Sequence, residues 1–242
     1  MSRNCFTTIP LGLVMGDVGV PKPEELWSNL AKPDCRVPII PSEVPWAILN
    51  PEHSSSLKIQ LSALLAELGS SFCDEIADSV DESSGPVHID NSAIVDTGVK
   101  IVGPCYIGPE CEVRFGAYIR PFTWACRGSV IGHSTEVKHS LFLPGAKAPH
   151  FNYVGDSIIG SGVNLGAGTK LSNLRHDGKE VIVRSDSGKM ASGLRKFGAL
   201  LGDGCQLGCN SVTNPGTILG RNCMVYPCAC ISGIHSDDCR IR

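Results

Sequence analysis

Arg120 and Lys138 stand eighteen residues apart, with Glu136 two positions before the lysine and His150 twelve after it. A histidine near a carboxylate can serve as a general base, because the acid fixes the imidazole tautomer and leaves the other ring nitrogen free to take a proton. Two cations brought close together repel unless an anion neutralises them, and a phosphate monoester suits that place. The plain alternative for each is solvation: a flexible cation reaching into water, a loop histidine with no partner. Four histidines, His133, His139, His150 and His176, also raise the question of a metal. Zinc would need three converging imidazoles, their spacing suggests no such set, and no metal is expected.

Whether Arg120 meets Lys138 depends on the elements that carry them. Every sixth residue from Ile89 is aliphatic: Ile89, Val95, Ile101, Ile107, Val113, Ile119, Ala125, Ile131, Val137, Leu143. With 42% hydrophobic residues overall, ten of ten in a fixed frame arises by chance with a probability on the order of 10⁻⁴. The phase slips, resumes at Tyr153, Ile159, Leu165 and Leu171, and returns at Leu201, Leu207, Thr213, Leu219, Val225 and Ile231. A period of six suits a solenoid with a triangular coil, each side a short strand and each corner a turn. Three hexads make one coil, so residues eighteen apart stack about 4.8 Å apart on neighbouring parallel strands. Arg120 and Lys138 form such a pair.

The period is broken twice, at 144–152 (PGAKAPHFN) and at the long polar excursion 172–197, and long loops on a rigid scaffold are where function tends to sit. Residues 1–86 lack the period. They carry repeated prolines and one helix candidate, Ser54 to about Leu68, whose leucines share a face and which Ser55 or Ser56 can cap. The expectation is a small helical appendage with a linker, packed on the first coil, followed by the solenoid over 87–242.

A net charge of −3 gives no basic field for nucleic acid or an anionic membrane. The apolar stretch from Leu11 to Val14 is stopped by Asp17, and no run approaches the roughly 20 apolar residues of a membrane span. A cytoplasmic protein is expected. The twelve cysteines are scattered and include no CxxC pair; Cys105, Cys111, Cys205, Cys209 and Cys223 fall where a small buried hydrophobe serves, so reduced packing thiols are expected.

The hexad pattern resembles the left-handed parallel β-helix of the hexapeptide-repeat transferases, and that resemblance alone supplies the hand. YIRPFT from Tyr118, TEVKHS from Thr135, HFNYVGD from His150, VNLGAGT from Val163, SNLRHDGK from Ser172 and GLRKFGALLGD from Gly193 resemble the acetyltransferase half of bifunctional N-acetylglucosamine-1-phosphate uridyltransferases. NLRHDGK and GLRKFGALLGD are most similar to the archaeal sugar-1-phosphate nucleotidylyltransferase/acetyltransferases. PWAIL, Pro45 to Leu49, resembles the hinge before their helix.

The resemblance implies acetyl-CoA as acyl donor, an amino sugar 1-phosphate (glucosamine or galactosamine) as acceptor, and a homotrimer whose 172–197 loop reaches a neighbouring subunit. It implies His150 as general base with Glu136 orienting it, Arg120 and Lys138 on the sugar phosphate, and Tyr153 and Asn164 on the sugar. Asn173 would lie beside the amine and thioester, Ala167 would contact the pantetheine arm, and Lys179 would match a functional lysine of the archaeal branch. An amino sugar is mainly ammonium at neutral pH, so a base must remove a proton before the nitrogen attacks the thioester. Collapse of the tetrahedral intermediate then needs oxyanion donors, such as backbone N–H groups or the Asn173 amide.

Two departures stand out. Ile182 occupies the place of a further lysine of the archaeal branch, and residues 1–86 offer no glycine-rich nucleotidyltransferase signature, LGLVMGDVG from Leu11 being only superficially similar, so no uridyltransferase activity is expected. The alternatives are a hexapeptide acyltransferase with another sugar acceptor, or a non-catalytic trimeric scaffold or regulator that partners a separate nucleotidyltransferase.

Overall fold

A column of aliphatic side chains runs the length of a triangular prism, and three eight-stranded parallel sheets form its walls. The computed structural model describes residues 19–28, 30 and 36–242. The apolar run at Leu11 lies outside the described residues, as do Pro33, Cys5 and Cys35.

Face one begins with Val80–Asp81, earlier than the hexad count suggests, and continues through Lys100–Val102, Tyr118–Ile119, Glu136–Lys138, Tyr153–Gly155 and Lys170–Leu171. Face two includes Cys105–Ile107, Thr123–Ala125, Ser140–Phe142 and Ile158–Ile159, and face three Val130–His133, Lys147–His150 and Asn164–Leu165. Each coil visits the faces in the order one, two, three and stacks in parallel on the next, the architecture of the left-handed parallel β-helix. Stacking pairs every strand in parallel and buries residues no single coil could cover. Ile101, Ile119, Val137, Ile107, Ala125, Ile131 and their equivalents are at most a few percent exposed.

The phase break lies elsewhere than the hexad count indicated. Phe142, not Leu143, joins the interior column, and Val154, not Tyr153, follows Ala148 there. The steps from Val137 to Phe142 and from Val154 to Ile159 therefore span five residues instead of six. Both short steps fall at the corner between faces one and two, so strands pair across it with a shift of seventeen, as in Ser140 with Thr123 and Leu141 with Ile158. The missing residue is absorbed by tight corners in which His139 (φ 42°) and Asp156 (φ 48°) take the left-handed conformation that L-residues seldom adopt.

The appendage covers much more than the first coil. Its short helix α1 (Pro23–Leu26) lies beside the late coils, where the Trp27 indole donates to the Leu201 carbonyl at 2.9 Å, while α2 (Leu57–Leu68) packs on the early strands of face two. Ser56 caps α2 by accepting from the Ile59 N–H at 3.3 Å. Between them Trp46, Ile48 and Leu49 meet the outward side chains Tyr106, Trp124, Leu141, Ile158, Leu200 and Ile218, a stripe running up the outside of face two.

The 172–197 excursion is also partly apolar in its packing. It forms an antiparallel hairpin, Ile182–Ser185 with Gly188–Ala191, and buries Val181, Val183, Leu194 and Phe197 in the same layer. Trp46 joins it to the appendage: its indole donates to the Ser192 carbonyl at 3.0 Å and its ring lies 5.6 Å from Phe197.

The described cysteines are free thiols. Cys105, Cys111, Cys205 and Cys223 are buried, as packing thiols should be, whereas Cys209 is exposed because it sits outside the prism at a corner. Burial pushes the Cys105 thiol up to about 12 and Cys111 to about 11, so both are poor nucleophiles. No described helix is long and apolar enough to cross a membrane.

Candidate active site

The strand Glu136–Lys138 holds the centre of the candidate site on face one, with Tyr118 opposite Glu136 in the coil before it and Tyr153 opposite Glu136 in the coil after. This register sets Lys138 over Arg120, as the eighteen-residue spacing predicts. No external anion is needed to hold the two cations together, because each has its own carboxylate. Arg120 Nη1 donates to Glu136 Oε1 at 2.8 Å, and Lys138 Nζ donates to Asp156 Oδ2 at 2.9 Å. The hydrogen bond to Glu136 raises the Arg120 pKa further above its ordinary value.

Asp156 was not singled out by the sequence, yet it is the most connected side chain of the site. It is only 6% exposed and accepts from Lys138, from His139 Nδ1 at 2.9 Å and from the Asn173 amide. Burial alone would raise its pKa, but the hydrogen bond from His139 and the charge of Lys138 outweigh that and hold it below the usual carboxylate value. Its partner His139 lies seventeen residues back, so a search at eighteen passes it by. Asn173 is buried between Asp156 and Tyr153, whose hydroxyl donates to Asn173 Oδ1 at 3.5 Å. Burial raises the Tyr153 hydroxyl's pKa, with the Asp156 and Glu136 charges acting in the same direction.

His150 occupies the other edge of face one, at the end of the face-three strand Lys147–His150, with an exposed ring. Among the described residues its ring nitrogens make no hydrogen bond, and its aromatic contact is Phe151 at 6.5 Å. Among the described residues no hydrogen bond joins Glu136 to it: the carboxylate is drawn to Arg120 along face one, while His150 lies around the corner. The position of His150 is nonetheless well fixed through its backbone. Its N–H donates to Asn152 Oδ1 at 3.0 Å and its carbonyl accepts from Gly168 N–H at 2.9 Å.

That second bond sets Ala167 directly above His150, one coil on, and Asn164 pairs with Lys147 on the same face-three strands. Ala167 and Asn164 are half-buried. Below His150 the column continues through His133, which stacks on Phe115 at 5.7 Å and meets the Phe151 edge at 5.2 Å. Lys179 is exposed in the excursion, beyond the turn where Arg175 pairs with Asp177 at 2.7 Å; that guanidinium holds Asp177 well below the usual carboxylate range. Arg120, Glu136, Lys138, Tyr153 and Asn173 are thus brought together on face one, His150, Asn164 and Ala167 flank it on face three, and Lys179 stands apart. Among the described residues no group of three or more His, Cys, Asp or Glu is arranged to hold a metal ion.

No protein-family profile matches the chain. Among curated proteins it is 31% identical over 192 residues to the uncharacterized acetyltransferase YaiX of Escherichia coli K12, covering 79% of each chain. It is 38% identical over 160 residues to the bifunctional sugar-1-phosphate nucleotidylyltransferase/acetyltransferase of Sulfurisphaera tokodaii, and 42% identical over 109 residues to the bifunctional protein GlmU of Methanocaldococcus jannaschii. These matches take in 59% and 45% of this chain but only 40% and 26% of the two relatives, so the chain spans well under half the length of either. The hexapeptide solenoid and the relative matched over 79% of both chains define a class of acyltransferases. The chain belongs to the hexapeptide-repeat acetyltransferase family that includes YaiX and is related to the acetyltransferase portion of the GlmU proteins.

Proposed function

We propose that the protein transfers the acetyl group of acetyl-CoA to the nitrogen of an amino sugar 1-phosphate. The observation that carries this function is the strip on face one: His150 lies at one edge, the Arg120 and Lys138 pair at the other, and Tyr153 and Asn173 between them. An amine beside His150 loses its proton to the exposed imidazole while the phosphate is drawn toward the cationic edge. Ala167, stacked above His150, leads the donor's thioester along face three to the same point. Face two is closed by the appendage, which leaves faces one and three to meet neighbouring prisms, in keeping with a homotrimer that completes the site.

The test is incubation with acetyl-CoA and a panel of amino sugar 1-phosphates while free thiol is followed. Thiol release that depends on glucosamine or galactosamine 1-phosphate supports the assignment. Release only with other sugar amines or hydroxyls moves the acceptor, and none with any acceptor, in folded protein, overturns it in favour of a scaffold.

A further inference from the structure

A cleft of about 530 Å³ opens at the corner between faces one and two, and three separate parts of the chain line it. The corner gives Arg120, Phe122, Lys138, His139 and Asp156, the appendage gives Glu52 and Lys58, and the excursion gives Arg195 and Lys196. Five cationic side chains therefore face two carboxylates. Arg120 and Lys138 have partners, but among the described residues neither Lys58 nor Lys196 is in an ion pair. Lys58 instead rests over the Phe122 ring, 4.7 Å from its centroid.

His139 makes the cleft more than a cationic surface. Its side chain is 10% exposed, its Nδ1 is tied to Asp156 at 2.9 Å, and among the described residues its buried Nε2 has no hydrogen-bond partner. A buried polar atom left unpaired is costly, so one that persists calls for an explanation. Asp156 is an acceptor, so Nδ1 carries a proton; the neutral ring then presents a bare lone pair at Nε2, and the protonated ring presents an N–H. The Phe122 ring is T-shaped to His139, with centroids 6.2 Å apart, and so touches both the imidazole and Lys58.

We propose that this cleft is a binding subsite for a tetrahedral oxyanion, in which protonated His139 donates through Nε2 and Lys58 supplies a second charge once the Phe122 ring is drawn aside. The anion lies between the imidazolium and Lys58, with Asp156 behind the imidazolium, so charge alternates along the line. Lys138 and Arg120 on one side and Arg195 and Lys196 on the other add to the attraction, and Glu52 opposes it. Only the protonated ring has an N–H to offer at Nε2, so binding takes up a proton and affinity falls as pH rises. This deepens the function proposed above and rests on it for naming the anion as the acceptor's phosphate; the anion site itself does not depend on acetyl transfer.

The experiment is calorimetric titration of the full chain with sulfate, whose charge is constant over this pH range, and with glucose 1-phosphate, which lacks the amine. The dissociation constant should rise roughly tenfold or more between pH 6 and pH 8.5, the size of one charge-assisted hydrogen bond. Lys58→Ala should weaken sulfate severalfold while keeping the pH dependence. His139→Asn should weaken it and flatten the pH dependence; Phe122→Ala should bind at least as well as the native chain. No sulfate binding at pH 6, or a pH dependence that survives in folded His139→Asn protein, overturns the proposal. Sulfate binding without thiol release from any amino sugar phosphate would leave the anion site standing and remove the acetyl-transfer assignment.

Discussion

Glu136 lies 2.8 Å from Arg120, side chain to side chain, and both are a little over one-third exposed. An exposed pair of this kind contributes little to stability, but it masks the cation. Glu136→Gln keeps the shape and removes the competing charge, so the acceptor phosphate should gain access to Arg120. The Michaelis constant for the phosphorylated acceptor is expected to fall by about two- to fivefold, with kcat within about threefold of the parent. If Glu136 instead orients His150 in the working assembly, kcat falls and the acceptor constant changes little. Steady-state kinetics at saturating acetyl-CoA separates the two results.

His150 has an exposed ring whose nitrogens make no hydrogen bond among the described residues, and its backbone bonds do not need the imidazole, so its removal should leave the fold intact. His150→Ala is expected to lower kcat by on the order of 10²-fold with a melting temperature within a degree or two of the parent. Rescue by added imidazole, rising with the fraction of neutral base, would assign the lost function to proton removal. Turnover near the parent value would take that role away from His150.

Asp156 offers a stability prediction with a defined sign. Burial raises its pKa, the His139 hydrogen bond and the Lys138 charge lower it, and the net value is below the ordinary 3.8. A depressed folded-state pKa gives stabilisation that is complete above the unfolded value and is lost as pH falls through the folded one. Asp156→Asn leaves Lys138 and His139 without their shared carboxylate, at a cost of about 3 kcal/mol at neutral pH. In urea unfolding the gap between parent and variant should be full at pH 6 and shrink below about pH 4. A gap that stays constant down to pH 3 would show that the carboxylate charge is not what stabilises the corner.

The solenoid was legible because its cause is local and repeated: one inward aliphatic per side, visible in the Ile89 to Val137 series whatever the rest of the chain does. The stacking of Lys138 on Arg120 follows from the same arithmetic. The arithmetic fails where a side loses a residue. Five-residue steps at His139 and Asp156 bring those two together at a spacing of seventeen, and they substitute Phe142 for Leu143 and Val154 for Tyr153 in the interior. Hydrophobicity does not resolve such a slip, since both members of each pair are apolar or aromatic; the difference lies in backbone conformation at two left-handed corners. The carboxylate choices were hidden for another reason. Glu136 has both Arg120 and His150 within a coil's reach in sequence, and only the turn onto face three decides between them.

The appendage and the excursion meet at Trp46, which is 2% exposed, hydrogen-bonded to the Ser192 carbonyl and packed on Phe197. Sequence gave this contact no signal, because it joins segments 146 residues apart through a side chain outside the hexad frame. Trp46→Ala removes a large buried ring and leaves a carbonyl unpaired, so a cost of about 3 to 5 kcal/mol is expected. The loss should be local first: the interior column does not touch Trp46, whereas Val181, Val183 and Leu194 share its layer. Limited proteolysis of the variant should therefore cut within residues 172–197 well before the prism, and anion affinity in the corner cleft should drop as Arg195 and Lys196 lose their support. Simultaneous loss of the whole chain at parent-like rates would mean that the excursion is held by the prism alone.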